Sequence, residues 1–570
     1  YYLEPKYAPY AKQIFGFTPE AIDFFSKKLG VDYPWNKYAQ IVVRDYVSGA
    51  MENTTATLHG TYVQGTPRQL ADAYYDAGRS TIAHELFHQW FGDYVTAENW
   101  SNITVNESFA DFSETMWAEY KYGKDEGGAH ISDDWQTYVQ NPENHTKILV
   151  RNYYKDKEDL FDAVTYQKGG TILYYLRNYL GEDAFYKGLN IYLKTNAYKN
   201  GEAQQLRLAF EEASGRDLNW FFNQWYYRPA HPVLDITYKW DDASKTQTVY
   251  VNQQQAGETY TLPIAVDIYT GGKKERHKVW LRNRIDTLTF KLASKPSLVN
   301  VDGDKVLPAE KVDHKTLEEY AFQYTSAPLY RDRAEAIDTA ALNPNDKNSQ
   351  KIIIAALNDK YYQLRIKAIQ SLDMSNDAIR NQAQPILMQL ARTDQNNLSR
   401  AAAIGALGKL KAAGMLPLFR EGLSSTSYAV QGASLAALAR QEPDEAFKAA
   451  KAFEKDNEGL LTLALMNVYS LKGSSAEWAF VYDKYIKANS QEKINAAPGF
   501  AGMAARVDNP VYAQQGINAL KEIGIKFKPY GAGPFGIKFI NVIKAGRAQL
   551  KDDASVKAAD AAIKEINDAP

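Results

Sequence analysis

At 570 residues the chain is too long for one hydrophobic core, and about 150 residues per domain gives three or four domains. With 45% hydrophobic and 24% charged residues it is no disordered polymer, and it has no apolar run of about 18 residues to make a transmembrane helix. Lys plus Arg (66) against Asp plus Glu (68) leaves a net charge of -2, with no basic excess for nucleic acid or an anionic membrane, and cysteine is absent. No disulfide, thiolate nucleophile or cysteine-ligated metal is then available, and any metal must sit on His, Asp or Glu. Lack of cysteine fits cytoplasm and periplasm equally. The opening YYLEPKYAPY shows neither Met nor a signal peptide, and reads as a processed chain or part of a longer one.

In chain order, Phe17–Leu29 has helical spacing with Thr18-Pro19 as a helix start, and Ala39–Tyr46 reads as a strand. Ser80–Gly92 and Ser101–Gly123 are helical, as is Gly170–Leu180, stopped by Gly181. From His231-Pro232 onward the pattern changes. Leu234–Trp240, Thr248–Asn252, Tyr260–Tyr269, Lys278–Leu281 and Thr287–Leu292 are short and β-branched, with Thr270-Gly271-Gly272 as a hairpin turn. After Ala309 the chain is Ala- and Leu-rich with helical period. Arg331-x-x-Ala334, Arg365-x-x-Ala368 and Arg400-x-x-Ala403 recur, and Ala433 and Ala464 continue the series. Such periods suggest stacked helix pairs of HEAT or armadillo type, with a tetratricopeptide arrangement also open. The fold class expected is therefore α+β and multidomain: residues 1–231 a mainly helical domain, 232–308 a small β-sandwich-like domain, and 309–570 a helical solenoid.

The chemistry concentrates in His84-Glu85-Leu86-Phe87-His88. Histidines at i and i+4 of a helix project from one face and suit two corners of a zinc tetrahedron, with Glu85 beside them. Eighteen residues separate His88 from Glu107, in Asn106-Glu107-Ser108-Phe109-Ala110-Asp111-Phe112. A helix hairpin would return Glu107 opposite the histidines. Two histidines, one glutamate and an open position form a catalytic rather than a structural zinc set.

HELFHQWFG and NESFADF, with eighteen residues between His88 and Glu107, resemble the gluzincin metallopeptidases. Gly49-Ala50-Met51-Glu52-Asn53 (GAMEN) resembles the exopeptidase signature of the M1 aminopeptidases, Tyr166-Gln167-Lys168-Gly169 their Tyr-x-Lys-Gly segment, and WYYRPAHPVL (225–234) the end of their catalytic domain. The resemblance implies a thermolysin-like catalytic domain, one Zn2+ on His84, His88 and Glu107, Glu85 as general base and Tyr166 as hydrogen-bond donor to the oxyanion. It also implies that Glu52 receives the substrate's α-ammonium while Gly49, Ala50, Met51 and Asn53 line the peptide, so that the partners are peptides with a free N-terminus. A thermolysin-type endopeptidase would share the zinc set but has no use for GAMEN. A catalytically weak peptide-binding scaffold is a third reading.

Two local departures from the family pattern stand out. Asn102 and Thr104 replace its Asp and Trp, and Asn102 is expected to cap the following helix. The family's β-rich N-terminal domain is not seen before the catalytic region, so the chain reads as lacking it. Asp111, at i+4 from Glu107, is a candidate partner of a zinc histidine or else a solvated helix residue. Arg151 and Arg177 are candidates to meet substrate. His59, His130, His145, His231, His277 and His314 lack ligand spacing, and Trp90, Phe91 and Trp117 are expected in the core.

Overall fold

A computed structural model describes residues 1–72, 74–410, 412–528 and 533–569. The chain forms two compact units, Tyr1–Ala356 and Leu357–Pro570.

The first unit opens with short helix Ala11–Phe15, followed by helix Thr18–Leu29. Pro19 fits its first turn, Gly30 ends it at a φ of 59°, and Ala21, Phe25 and Leu29 form its buried face. A three-stranded sheet follows. Ala39–Val42 pairs in parallel with Ala56–His59, which takes Ala50–Met51 antiparallel on its other side. The strand of residues 50–51 thus forms the sheet edge. Helix Tyr74–Phe87 starts earlier than its apolar pattern suggests and gives way to tight turns before Gly92. Residues Trp100–Asn102 make one short turn before helix Thr104–Tyr122. These two helices are joined by a stack of rings. Phe87 lies over Phe91 at 5.2 Å, and Phe91 over Phe109 at 4.3 Å, each pair within 7° of parallel. Trp90, Phe91 and Trp117 are buried, as expected from their helical context.

Helices Lys124–Val139, Gly169–Leu180, Glu182–Thr195 and Ala203–Ser214 complete this helical part. Beyond it lie two sheets. Strands Ile285–Lys291, Thr246–Gln253 and Val233–Asp241 run antiparallel in that spatial order, with Glu310–Asp313 parallel to the last. Strands Leu298–Val301, Leu262–Thr270 and Lys273–Leu281 form the second sheet, all antiparallel. Gly271 and Gly272, both at positive φ, make the two-residue turn between paired Thr270 and Lys273. Leu234, Ile236, Val249 and Val251 of one sheet share a core with Leu262, Val266 and Ile268 of the other, and with the helical part. Helices Leu317–Ser326, Tyr330–Ala341 and Lys347–Ala356 close the unit.

In the second unit the described residues contain helices and no strand. Every second long helix packs on the next in the series Tyr362–Gln370, Asn397–Gly408, Tyr428–Ala439, Gly459–Lys472, Ser490–Arg506 and Gly533–Gln549. Side-chain caps start several of them, among them Asn396, Ser427 and Asn489. The mixed α+β, multidomain class read from the sequence is the one observed. Among the described residues no helix is long and apolar enough to cross a membrane.

Candidate active site

Helix Tyr74–Phe87 turns Ala83, Leu86 and Phe87 into the core, which leaves His84, Glu85 and His88 facing a cavity of about 1120 Å³. Helix Thr104–Tyr122 brings Glu107 to the same place. Glu107 Oε2 lies 3.5 Å from His84 Nε2 and 3.2 Å from His88 Nε2. A tetrahedral zinc with bonds near 2.0–2.1 Å has ligand-to-ligand edges of about 3.3 Å. Glu107 therefore stands from each histidine nitrogen at about the separation such a cation requires, and all three donor atoms lie within 4.8 Å of one another.

The second nitrogen of each imidazole is already committed. His88 Nδ1 donates to the carbonyl of Phe91 at 2.9 Å, and His84 Nδ1 bonds Glu114 Oε1 at 2.8 Å. A proton held on Nδ1 leaves the Nε2 lone pair free for a cation. Burial alone would lower both histidines. For His84, bonds to Glu107 and Glu114 more than offset it and hold the ring well above its usual range. For His88, Glu52 and Glu107 do so, to about 10. Burial likewise opposes ionisation of Glu107, but the two imidazoles hold it far below the usual carboxylate range. The field at this point is one that favours positive charge.

Glu85 faces the cavity 6% exposed, and its Oε2 has no hydrogen-bond partner. Burial pushes its carboxyl up to about 7, against the pull of His84 and His88. A carboxylate of Glu52 lies within 4.8 Å of one from Glu85 and of a ring nitrogen of His88. Glu52 sits just beyond edge strand Ala50–Met51. Gly49, Ala50, Met51 and Glu52 all line the cavity, whereas Asn53 is exposed outside the lining. Gly49 adopts a φ of 79°, which starts the strand from a turn that a β-carbon would strain.

Tyr166 lies on a π-helical turn, Val164–Lys168. Such turns carry one extra residue and recur at functional sites. Its ring stacks on His84 at 5.9 Å, and its hydroxyl lies beside Glu107. Burial, then Glu107, keep the phenol protonated and a donor. The turn is held from both sides. Ser108 Oγ, next to Glu107, donates to the Thr165 carbonyl at 2.5 Å, and Asp162 Oδ1 accepts from the N–H groups of Val164 and Thr165.

Arg151 does not reach the cavity. It is buried, bonds both oxygens of Asp162 at 2.7 and 2.9 Å, and donates to Thr165 Oγ1 at 2.6 Å. Arg177 also faces away from the site, paired twice with Glu119 at 2.9 Å. Neither meets the cavity, because each is consumed by a carboxylate needed to hold a helix or turn. Asp111 is buried rather than solvated, and its Oδ2 has no hydrogen-bond partner. Glu114 fills the role considered for it. Asn102 does not cap helix Thr104–Tyr122. Its Oδ1 accepts from Ala203 N at 3.1 Å, at the start of a helix far along the chain. His130, one of the unassigned histidines, bonds Glu114 Oε2 at 3.2 Å through Nε2 and Asp134 at 3.2 Å through Nδ1. Asp93 also lines the cavity. Burial raises its carboxyl to about 7, a bond from Thr54 opposes this, and the charge of Glu52 adds to it.

A family model described as the peptidase family M1 domain matches residues 14–225. The chain is 36% identical over 269 residues to aminopeptidase N of Streptomyces lividans, covering 45% of this chain and 30% of that protein. It is 28% identical over 250 residues to glutamyl aminopeptidase of Homo sapiens, covering 41% of this chain and 25% of that one. The match thus spans under a third of either relative's length. In fold alone the chain resembles the crystal structure of Legionella pneumophila aminopeptidase A in complex with aspartic acid. That likeness has a TM-score of 0.68 at 14% identity, over 97% of this chain and 74% of that one. Residues 14–225, which carry Glu52, His84, Glu85, His88, Glu107 and Tyr166, thus match the peptidase family M1 domain.

Proposed function

We propose that the chain is a zinc-dependent aminopeptidase that hydrolyses the N-terminal residue from peptides. The observation that carries this reading is the placement of the Glu52 carboxylate beside Glu85 and His88, at the rim of the His84–His88–Glu107 set. An endopeptidase has no need of an anion there. A peptide with a free α-ammonium does, and a fixed carboxylate about one residue from the scissile bond selects that end.

His84, His88 and Glu107 would hold the zinc. When bound, it polarises the scissile carbonyl and lowers the pKa of water. Glu85, with a carboxyl near 7, takes a proton from the attacking water and passes it to the leaving nitrogen. Tyr166 donates a hydrogen bond to the oxyanion as it develops, from a phenol that its surroundings keep protonated. Glu52 fixes the α-ammonium. The unpaired edge of Ala50–Met51 offers the substrate backbone a partner strand, with Gly49 and Asn53 shaping the turns on either side.

We read three domains along the chain, 1–231, 232–308 and 309–570. The alternating contacts of the second unit's helices support a HEAT- or armadillo-like solenoid for the last.

The test uses the zinc-loaded chain with an unblocked peptide and its N-acetylated copy. Release of free amino acid from the first and not the second is expected, with Glu85→Gln inactive but still holding zinc. Equal cleavage of both peptides would favour the endopeptidase. Absence of zinc by plasma spectrometry, or full activity of Glu85→Gln, would overturn the mechanism.

A further inference from the structure

Gln89 follows His88 directly, yet it lines no part of the cavity, and its side chain is wholly buried. Its amide closes across the turn that follows the edge strand. Nε2 donates to the carbonyl of Glu52 at 2.8 Å, while Oε1 accepts from the N–H of Thr55 at 2.9 Å and from the Tyr33 hydroxyl at 3.3 Å. The backbone carbonyl of Gln89 accepts from Trp35 Nε1 at 3.1 Å.

The turn needs such a clamp. Thr55 sits at a φ of 64°, a region that a β-branched residue enters only when its surroundings hold it there. The clamp also needs an amide. The Glu52 carbonyl wants a donor and the Thr55 N–H wants an acceptor, and an amide presents both on one planar group. A thioether presents neither. Asparagine presents both but is one methylene too short to span the two partners.

The geometry points to Gln89 as a positioning residue that ties the Glu52 carboxylate to the metal-site helix and thereby sets where a substrate's α-ammonium sits relative to the scissile bond. This rests on the aminopeptidase reading. One residue joins the two elements whose spacing defines the exopeptidase register: His88 on one side, and the backbone of Glu52 on the other. Gln89 touches neither substrate nor metal, so its loss acts on placement of the N-terminus more than on bond cleavage.

The experiment compares zinc-loaded wild type with Gln89→Met, which keeps volume and removes every side-chain hydrogen bond of Gln89, and with Gln89→Asn, which keeps the amide but shortens its reach. KM and kcat are measured on an unblocked peptide and on its N-acetylated copy, with zinc content and thermal unfolding alongside. Leaving a buried donor or acceptor unmade predicts a fall of about tenfold in kcat/KM on the unblocked peptide, carried by KM, with kcat changed by less than about threefold. Preference for the unblocked peptide should fall by the same factor, while zinc stays at the wild-type level. An unchanged KM in either folded variant overturns the inference, as does a joint loss of zinc and kcat, which would make Gln89 a support for the metal helix alone. If Gln89→Met does not fold, Gln89→Asn decides by the same measurements. A wild type that releases no N-terminal residue would instead sink the aminopeptidase reading, before any variant is compared.

Discussion

Glu114 offers the sharpest perturbation of the site, because its two oxygens bond different groups. Oε1 bonds His84 Nδ1 at 2.8 Å and Oε2 bonds His130 Nε2 at 3.2 Å. Glu114→Gln keeps this shape. The amide oxygen can still accept from His84, and the amide nitrogen can face His130 once that ring carries its proton on Nδ1, toward Asp134. Shape is kept and charge is lost, so the variant isolates the carboxylate's effect on the basicity of His84. Partners of this kind are worth about 10- to 100-fold in metal affinity, or about 1.4 to 2.7 kcal/mol. Gln, which keeps the hydrogen bond, should lie near the lower figure, and Glu114→Ala, which strands both histidines, near the upper. The assay follows zinc transfer from the loaded protein to a chromophoric chelator, with circular dichroism melts to confirm folding. If both variants are folded and release zinc at the wild-type rate, Glu114 does not act on the metal site.

Three further outcomes follow from buried contacts. Arg151→Leu takes the guanidinium from Asp162, beneath the turn that carries Tyr166, leaving that carboxylate Lys147 and two backbone N–H groups, and should cost about 1.5–3 kcal/mol by urea unfolding; a loss under about 0.5 kcal/mol would refute it. Gly170→Ala places a methyl 2.1 Å from Asp111 Oδ2, inside packed helices, and should cost about 1–3 kcal/mol by calorimetry. An unchanged melting temperature would contradict that. His59 is buried and its pKa falls from 6.5 to about 3, so between those values the unfolded chain binds more protons and stability drops as pH falls. The loss reaches about 5 kcal/mol at most by pH 3. His59→Gln should remove this component, and a wild-type-minus-variant difference that stays constant from pH 7 to 4 would dismiss it.

The convergence of His84, His88 and Glu107 was legible because helical geometry fixes the first two and a helix return supplies the third. Glu114 was legible in principle. Seven residues beyond Glu107 it lies about 20° round the helix from it, against about 40° for Asp111, and one turn further along. Choosing between them requires knowing how far along its partner helix His84 points, which only packing decides. Gln89 has no role legible in the sequence, because the backbone groups that its amide joins lie 34 and 37 residues away and Tyr33 lies 56 away. Arg151 and Asn102 escape sequence reasoning for the same reason: a polar side chain takes the carboxylate or N–H that the fold delivers, and local sequence does not name it. The Gly271-Gly272 hairpin and the Gly181 stop were readable, since each depends on backbone conformation at the residue itself.

Edge strand Ala50–Met51 has a consequence for self-association. An open sheet edge is a template on which copies of a protein can pair and aggregate. Here that edge is two residues long, bounded by the turn at Gly49 and by the turn that Gln89 clamps. A neighbouring chain would find two rungs and then a carboxylate that repels anything but a cation. On the proposed function that brevity halts an incoming N-terminus, and it also makes the edge a poor seed for a fibril. Lengthening the strand to strengthen substrate binding would remove that protection.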